Sequence, residues 1–91
     1  MAANGSFHFT TAGQSATAGG AASGAQLWTV VVGTGAASAV VTIKDGGSSG
    51  TVVATIDASA KGYYNFAGMR VAGQLYATLT GGNADVTVTF Q

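Results

Sequence analysis

The chain has no cysteine and no proline, and only 7% of its 91 residues carry a charge. Without cysteine there is no disulfide framework, no thiolate nucleophile and no sulfur ligand for a metal, and the redox compartment cannot be read. An average soluble domain is about 25% charged. Here three basic residues (Lys44, Lys61, Arg70) balance three acidic ones (Asp45, Asp57, Asp85), for a net charge of zero. No basic field exists to draw in nucleic acid or an anionic membrane surface, so neither is expected as a partner. A chain with so little self-repulsion tolerates dense packing against copies of itself, and the charge deficit predicts assembly. No apolar run approaches the roughly 20 residues of a membrane-spanning helix. The N-terminal MAANGSFHF has neither the basic start nor the apolar stretch of a secretory signal, so synthesis in the cytoplasm without export by that route is expected.

What is present is glycine, threonine and short apolar runs. A chain of this length makes one domain, residues 1–91, with a thin core, because it buries only about 60–65% of its unfolded surface. Residues 5–11 (GSFHFTT) alternate, with Phe7 and Phe9 on one face and Ser6, His8 and Thr10 on the other, the period of a half-buried strand. Residues 12–25 (AGQSATAGGAASGA) contain four glycines and no large apolar residue. Each glycine costs a helix about 1 kcal/mol relative to alanine. The segment reads as an extended loop or arm that reaches a neighbouring subunit.

Residues 26–32 (QLWTVVV) form a strand that is apolar on both faces, with Leu27 and Val31 on one side and Trp28, Val30 and Val32 on the other. Residues 38–45 and 51–57 flank DGGSSG and read as a hairpin, with Val52, Ala54 and Ile56 in phase. Residues 63–66 and 69–72 are short extended pieces broken at Ala67-Gly68. Residues 74–80 place Leu75, Ala77 and Leu79 inside, and residues 85–90 place Val86, Val88 and Phe90 on one face. The Gly-Gly-Asn turn between these last two predicts a hairpin that closes the core. The fold class is therefore all-β: an antiparallel β-sandwich or jelly-roll-like barrel of seven to eight short strands, with no significant helix.

Few residues offer chemistry. Gly33-Thr34-Gly35-Ala36-Ala37-Ser38 follows a strand and imitates a dinucleotide-binding turn, with Asp57 about twenty residues on. That motif needs a helix behind it to meet the pyrophosphate, and SAVVTIKDGG is β-branched and broken by glycine, so it reads as a hairpin loop. His8, the only histidine, has no obvious partner in sequence for a metal cluster or a nucleophile–base set. Asp45, Asp57 and Asp85 sit at strand ends, where carboxylates cap turns. DGGSSG has oxygen ligands but too little charge for a calcium loop. No catalytic residue, metal or cofactor is expected, and the chain does not read as an enzyme. Trp28, Tyr63, Tyr64 and Tyr76 would suit either a sugar-stacking shelf or interface anchors. Arg70 has the fork that grips a carboxylate or backbone carbonyls. Trp28, Arg70, Tyr76 and Tyr63 are the candidate interface residues.

Three stretches carry a family resemblance: VVTIKDGGSSGTVVATID (Val40–Asp57), GQLYATLTGG (Gly73–Gly82) and DVTVTF (Asp85–Phe90). Over about Leu27 to Phe90 the chain resembles small bacteriophage head decoration or cement proteins, although Gln74 interrupts their Gly-Leu-Tyr run. The resemblance implies a β-sandwich on the capsid surface, often a trimer, that clamps major capsid (coat) protein subunits. It implies virion localisation and supplies no catalytic residues. The alternative from the aromatic residues is a carbohydrate- or receptor-binding module of a tail fibre or adhesin. Two or three coplanar exposed rings would distinguish it.

Overall fold

The computed structural model describes residues 5–18 and 25–91. Among them are eight strands and no helix: β1 (Gly5–Phe9), β2 (Ser15–Ala18), β3 (Ala25–Thr34), β4 (Val40–Asp45), β5 (Thr51–Asp57), β6 (Gly62–Val71), β7 (Leu75–Thr80) and β8 (Asp85–Phe90). They form two four-stranded sheets, ordered β1-β8-β3-β6 and β2-β7-β4-β5. Every neighbouring pair is antiparallel. The pairs β4·β5, β3·β6, β2·β7 and β1·β8 are nested inside one another. The chain is thus one long hairpin, folded over so that β8 also joins β3 and β7 also joins β4. This is the topology of an eight-stranded jelly roll.

The core lies between the sheets and is built from small and branched residues. Leu27, Val30, Val32, Val86 and Val88 from one sheet meet Val41, Ile43, Leu75, Ala77 and Leu79 from the other, all fully buried. The alternation predicted for residues 74–80 and 85–90 holds, as does the β4–β5 hairpin. Phe7 and Phe90 close one side with ring centroids 4.6 Å apart. No buried side-chain polar atom lacks a partner among the described residues.

Four expectations need correction. First, residues 75–80 and 85–90 are not a hairpin. β7 and β8 belong to different sheets, and their apolar residues face each other across the core. Glycine and asparagine serve a turn within a sheet and an arch between sheets equally well, so the turn chemistry alone cannot separate them. The same holds for residues 33–37, which carry the chain from β3 in one sheet to β4 in the other.

Second, part of the segment 12–25 is not an arm. Ser15–Ala18 pairs with β7, and flanking bonds from the Gly13 N–H to the Leu79 carbonyl (2.7 Å) and from the Leu79 N–H to the Gln14 carbonyl (3.0 Å) lengthen that pairing. Alanine suffices here because Ala16 and Ala18 only cover the margin of the core. The Gln14 side chain also accepts from the Thr10 and Thr11 N–H groups. Residues 19–24, the rest of the expected arm, lie outside the described residues.

Third, β3 changes phase. A bulge between Leu27 and Thr29 gives Trp28 no partner, so Leu27 shares the core face with Val30 and Val32, while Val31 turns outward. Facing it, Ala67 and Gly68 adopt positive φ (54° and 81°) without ending β6, which runs on as one strand to Val71. Fourth, the β4–β5 register slips between Ile43 and Lys44, so that Val53 is the extra residue on β5. Ile56 stays buried and Ala54 packs against the core, but Val52 is 52% exposed.

Candidate interaction surface

The outer face of the β1-β8-β3-β6 sheet is ruled by the register into rows that cross all four strands. One row runs His8, Thr87, Val31, Tyr63; the next runs Ser6, Thr89, Thr29, Asn65. The Thr29 and Thr89 hydroxyls bond to each other, and Thr89 also accepts the Thr29 N–H at 3.1 Å. This bond repairs part of the ladder that the bulge interrupts. The other sheet carries a matching hydroxyl row of Ser15, Thr78, Thr42 and Thr55. These rows wet both faces without charge, which accounts for a composition so poor in lysine and glutamate.

Three of the four candidate interface residues share the first face. Tyr63 ends the first row and is 64% exposed. Arg70 is exposed opposite Gln26, whose backbone exchanges two 2.9 Å bonds with Gln91. Trp28 sits between them but is partly covered. Its Nε1 donates to the Gln91 side-chain oxygen at 3.2 Å, and its ring lies against Gly68, where an added Cβ would come within 3.1 Å. Tyr76 is not part of this group. It lies on the opposite sheet, half-buried, in a row with Thr17, Lys44 and Val52, and Lys44 Nζ stands 5.9 Å from its ring centroid. Tyr64 turns toward the sandwich margin and donates its hydroxyl to the Asp57 carbonyl at 3.3 Å. The four rings therefore do not make one shelf.

The structure also shows a pair that the sequence concealed. His8 Nε2 and Asp85 Oδ1 are 2.7 Å apart, and both side chains are about half exposed. Seventy-seven residues separate them. Only the β1–β8 pairing, which the repetitive Thr-Val alternation does not announce, brings them together. The pair lies on an open face, and no group of three His, Cys, Asp or Glu residues able to hold a metal occurs among the described residues.

Two of the three strand-end aspartates, Asp45 and Asp57, close turns, whereas Asp85 pairs with His8 instead. Asp45 accepts the Ala72 N–H at 3.0 Å and the Gly73 N–H at 2.8 Å, and the Gly46 N–H donates to the Gln74 carbonyl at 2.8 Å. The loop DGGSSG is thus clamped onto the β6–β7 connection. The Ala72 and Gly73 bonds hold the Asp45 carboxyl below the usual carboxylate range. Asp57 is lowered likewise by its contacts with Ser59. A lowered folded-state pKa means that the unfolded chain takes up the proton first. The stabilisation is present above the unfolded value of about 4 and is lost as pH falls through the folded one. Asp45→Asn is expected to lower the urea midpoint at pH 6 and to flatten its decline between pH 5 and pH 2. Parallel pH profiles for the two proteins would remove Asp45 from the acid response.

No protein-family model, no curated protein and no solved structure matches the chain. The class it defines rests on topology: an antiparallel eight-stranded jelly roll with two hydroxylated outer faces.

Proposed function

We propose that the chain is a bacteriophage virion structural protein, a capsid decoration or cement protein that binds the outside of the coat lattice and bridges neighbouring coat subunits. The observation that carries this reading is the outer face of the β1-β8-β3-β6 sheet. It is four strands wide and its rows are mainly hydroxylated, and it holds Tyr63, Arg70 and part of Trp28. Such a face suits adhesion over an area, with aromatic and arginine anchors supplying most of the energy. Jelly rolls serve in viral capsid and lectin domains alike, so the fold is compatible with the role without selecting it. The lectin-like reading loses support because Tyr76 stands on the other sheet and Tyr64 is engaged at the margin. The partner is the major capsid protein, and the resemblance implies a homo-oligomer, a trimer favoured, formed where copies meet on the coat lattice. Attachment is multivalent and involves no cofactor, nucleic acid or membrane.

The test is co-sedimentation with expanded, empty capsids of the parent particle, followed by imaging of the occupied positions. The wild-type protein is expected to decorate them. Tyr63→Ala and Arg70→Ala are each expected to weaken binding about tenfold or more, the range of an interface anchor. Tyr76→Ala should bind as the wild type does. Bare capsids at saturating wild-type protein, or retention on a glycan array instead, would overturn the reading.

A further inference from the structure

The exposed large apolar side chains are not scattered. Among the described residues they are Val52, Val53, Tyr63 and Tyr64, and all four lie on β5 and β6. These are the outermost strands of the two sheets at one side of the sandwich, joined through residues 58–61 and tied by the Tyr64–Asp57 bond. The opposite side, formed by β1 and β2, exposes Ser6, His8, Ser15 and Thr17. Among the described residues β5 pairs only with β4, and no described strand covers its other edge. Edge strands are ordinarily guarded by lysine or proline. Thr51–Asp57 contains neither, and its only charge is Asp57 at the end. The bulge at Val53 leaves both Val52 and Val53 exposed.

We propose that this β5–β6 flank pairs two copies of the chain about a two-fold axis. The occupant follows from complementarity. A two-fold contact sets a patch against itself, and a patch without charged side chains at its centre meets no repulsion there. Antiparallel apposition of the two β5 edges places each Asp57 at an opposite end, whereas parallel apposition would set the carboxylates side by side. The remaining outer faces are largely hydroxylated, so the best apolar complement this chain offers to the flank is the flank itself.

Size sets the strength. Seven residues of β5 run roughly 23 Å, and the sandwich is 16 Å across its shortest dimension. Each copy thus presents roughly 400 Å², about half the usual area per partner, which gives a weak and concentration-dependent dimer. A dissociation constant of about 10 µM to 1 mM matches an interface at that low end. The flank shares Tyr63 with the capsid-binding face, but the purified protein alone decides the proposal.

Sedimentation equilibrium from about 10 µM to 2 mM reads the outcome in a range chosen to bracket that constant. The wild-type mass is expected to climb from the 8.8 kDa subunit toward twice that value. Val52→Lys and Val53→Lys should each raise the dissociation constant at least tenfold while leaving the circular-dichroism melt in place. The milder Val52→Thr, which keeps β-branching, should give an intermediate shift. Thr17→Lys on the opposite flank should dimerise as the wild type does. A constant monomer mass over the whole range, a three-fold mass, or equal effects of Val52→Lys and Thr17→Lys would each overturn the proposal. Capsid binding can fail with the dimer intact, so the two readings fall separately.

Discussion

Leu79→Ala is expected to destabilise the protein by about 3–5 kcal/mol, the range for a leucine removed from a site that cannot collapse. Leu79 is fully buried and lies opposite Val41 on β4. Its backbone is held on the other side by Gly13 and Gln14, so the strand cannot move in to fill the gap. The core around it is thin, and the whole domain is worth only about 5–14 kcal/mol by its size. The variant therefore loses a large part of its stability at once. Thr80→Ala, one residue on and exposed, should stay within about 0.5 kcal/mol of the wild type. Urea denaturation of the pair measures both. Equal midpoints would mean that the interior around Leu79 repacks freely, contrary to the close fit seen here.

Gly81→Ala is expected to cost more than an ordinary glycine substitution, and a second glycine isolates the reason. Gly13 and Gly81 both have positive φ, 95° and 86°. A Cβ at Gly13 would meet nothing within 4 Å, whereas at Gly81 it would run into the Ser38 carbonyl oxygen and stand 3.0 Å from the Ser38 carbonyl carbon. Gly13→Ala therefore reports the left-handed backbone cost alone, about 1–2 kcal/mol. Gly81→Ala adds a collision between two backbones, which only a shift of one arch relieves, for about 1–3 kcal/mol more. Ser38 is itself held at φ 65°, so that arch has little slack. The contact is where the β7–β8 connection crosses the β3–β4 connection, the seam at one end of the roll. Thermal melts that drop equally for the two variants would refute the crowding at this seam.

How much of the fold was legible in the sequence depended on the range of the signal. Strands carried by strict alternation, such as Leu75-Ala77-Leu79 and Val86-Val88, could be placed with their buried faces, because a period of two is a local property. The β4–β5 hairpin was equally local. Trp28 and Val53 show where that logic stops. A bulge adds one residue, inverts the face of every later residue in the strand, and leaves the composition unchanged, so Val30 and Val31 exchange roles without any mark in the sequence. Ser15–Ala18 escaped because alanine at a sheet margin looks like a linker. Sheet membership was invisible for a further reason. Two consecutive strands joined by glycine can lie side by side or face to face, and only the whole set of pairings chooses. The candidate surface inherits these limits. Trp28, Tyr63 and Arg70 were each visible as unusual residues, but their common face depends on the irregularity between β3 and β6, and the exclusion of Tyr76 from it depends on the place of β7 in the other sheet. The His8–Asp85 contact depends on strands from the two ends of the described chain.

The nested pairing also fixes an order of events in time. Asp45 meets Thr51 six positions away, while Gly5 meets Phe90 across eighty-five. Closing the outer loop first would forfeit far more chain entropy than closing the inner one. Once β4 and β5 have joined, β3 need only find β6 across a short remaining gap, then β2 finds β7, and finally β1 finds β8. The roll winds from its tip toward its ends, on the slow timescale expected of distant pairings. It frays in reverse, so the strand that carries His8 is the last to arrive and the first to leave.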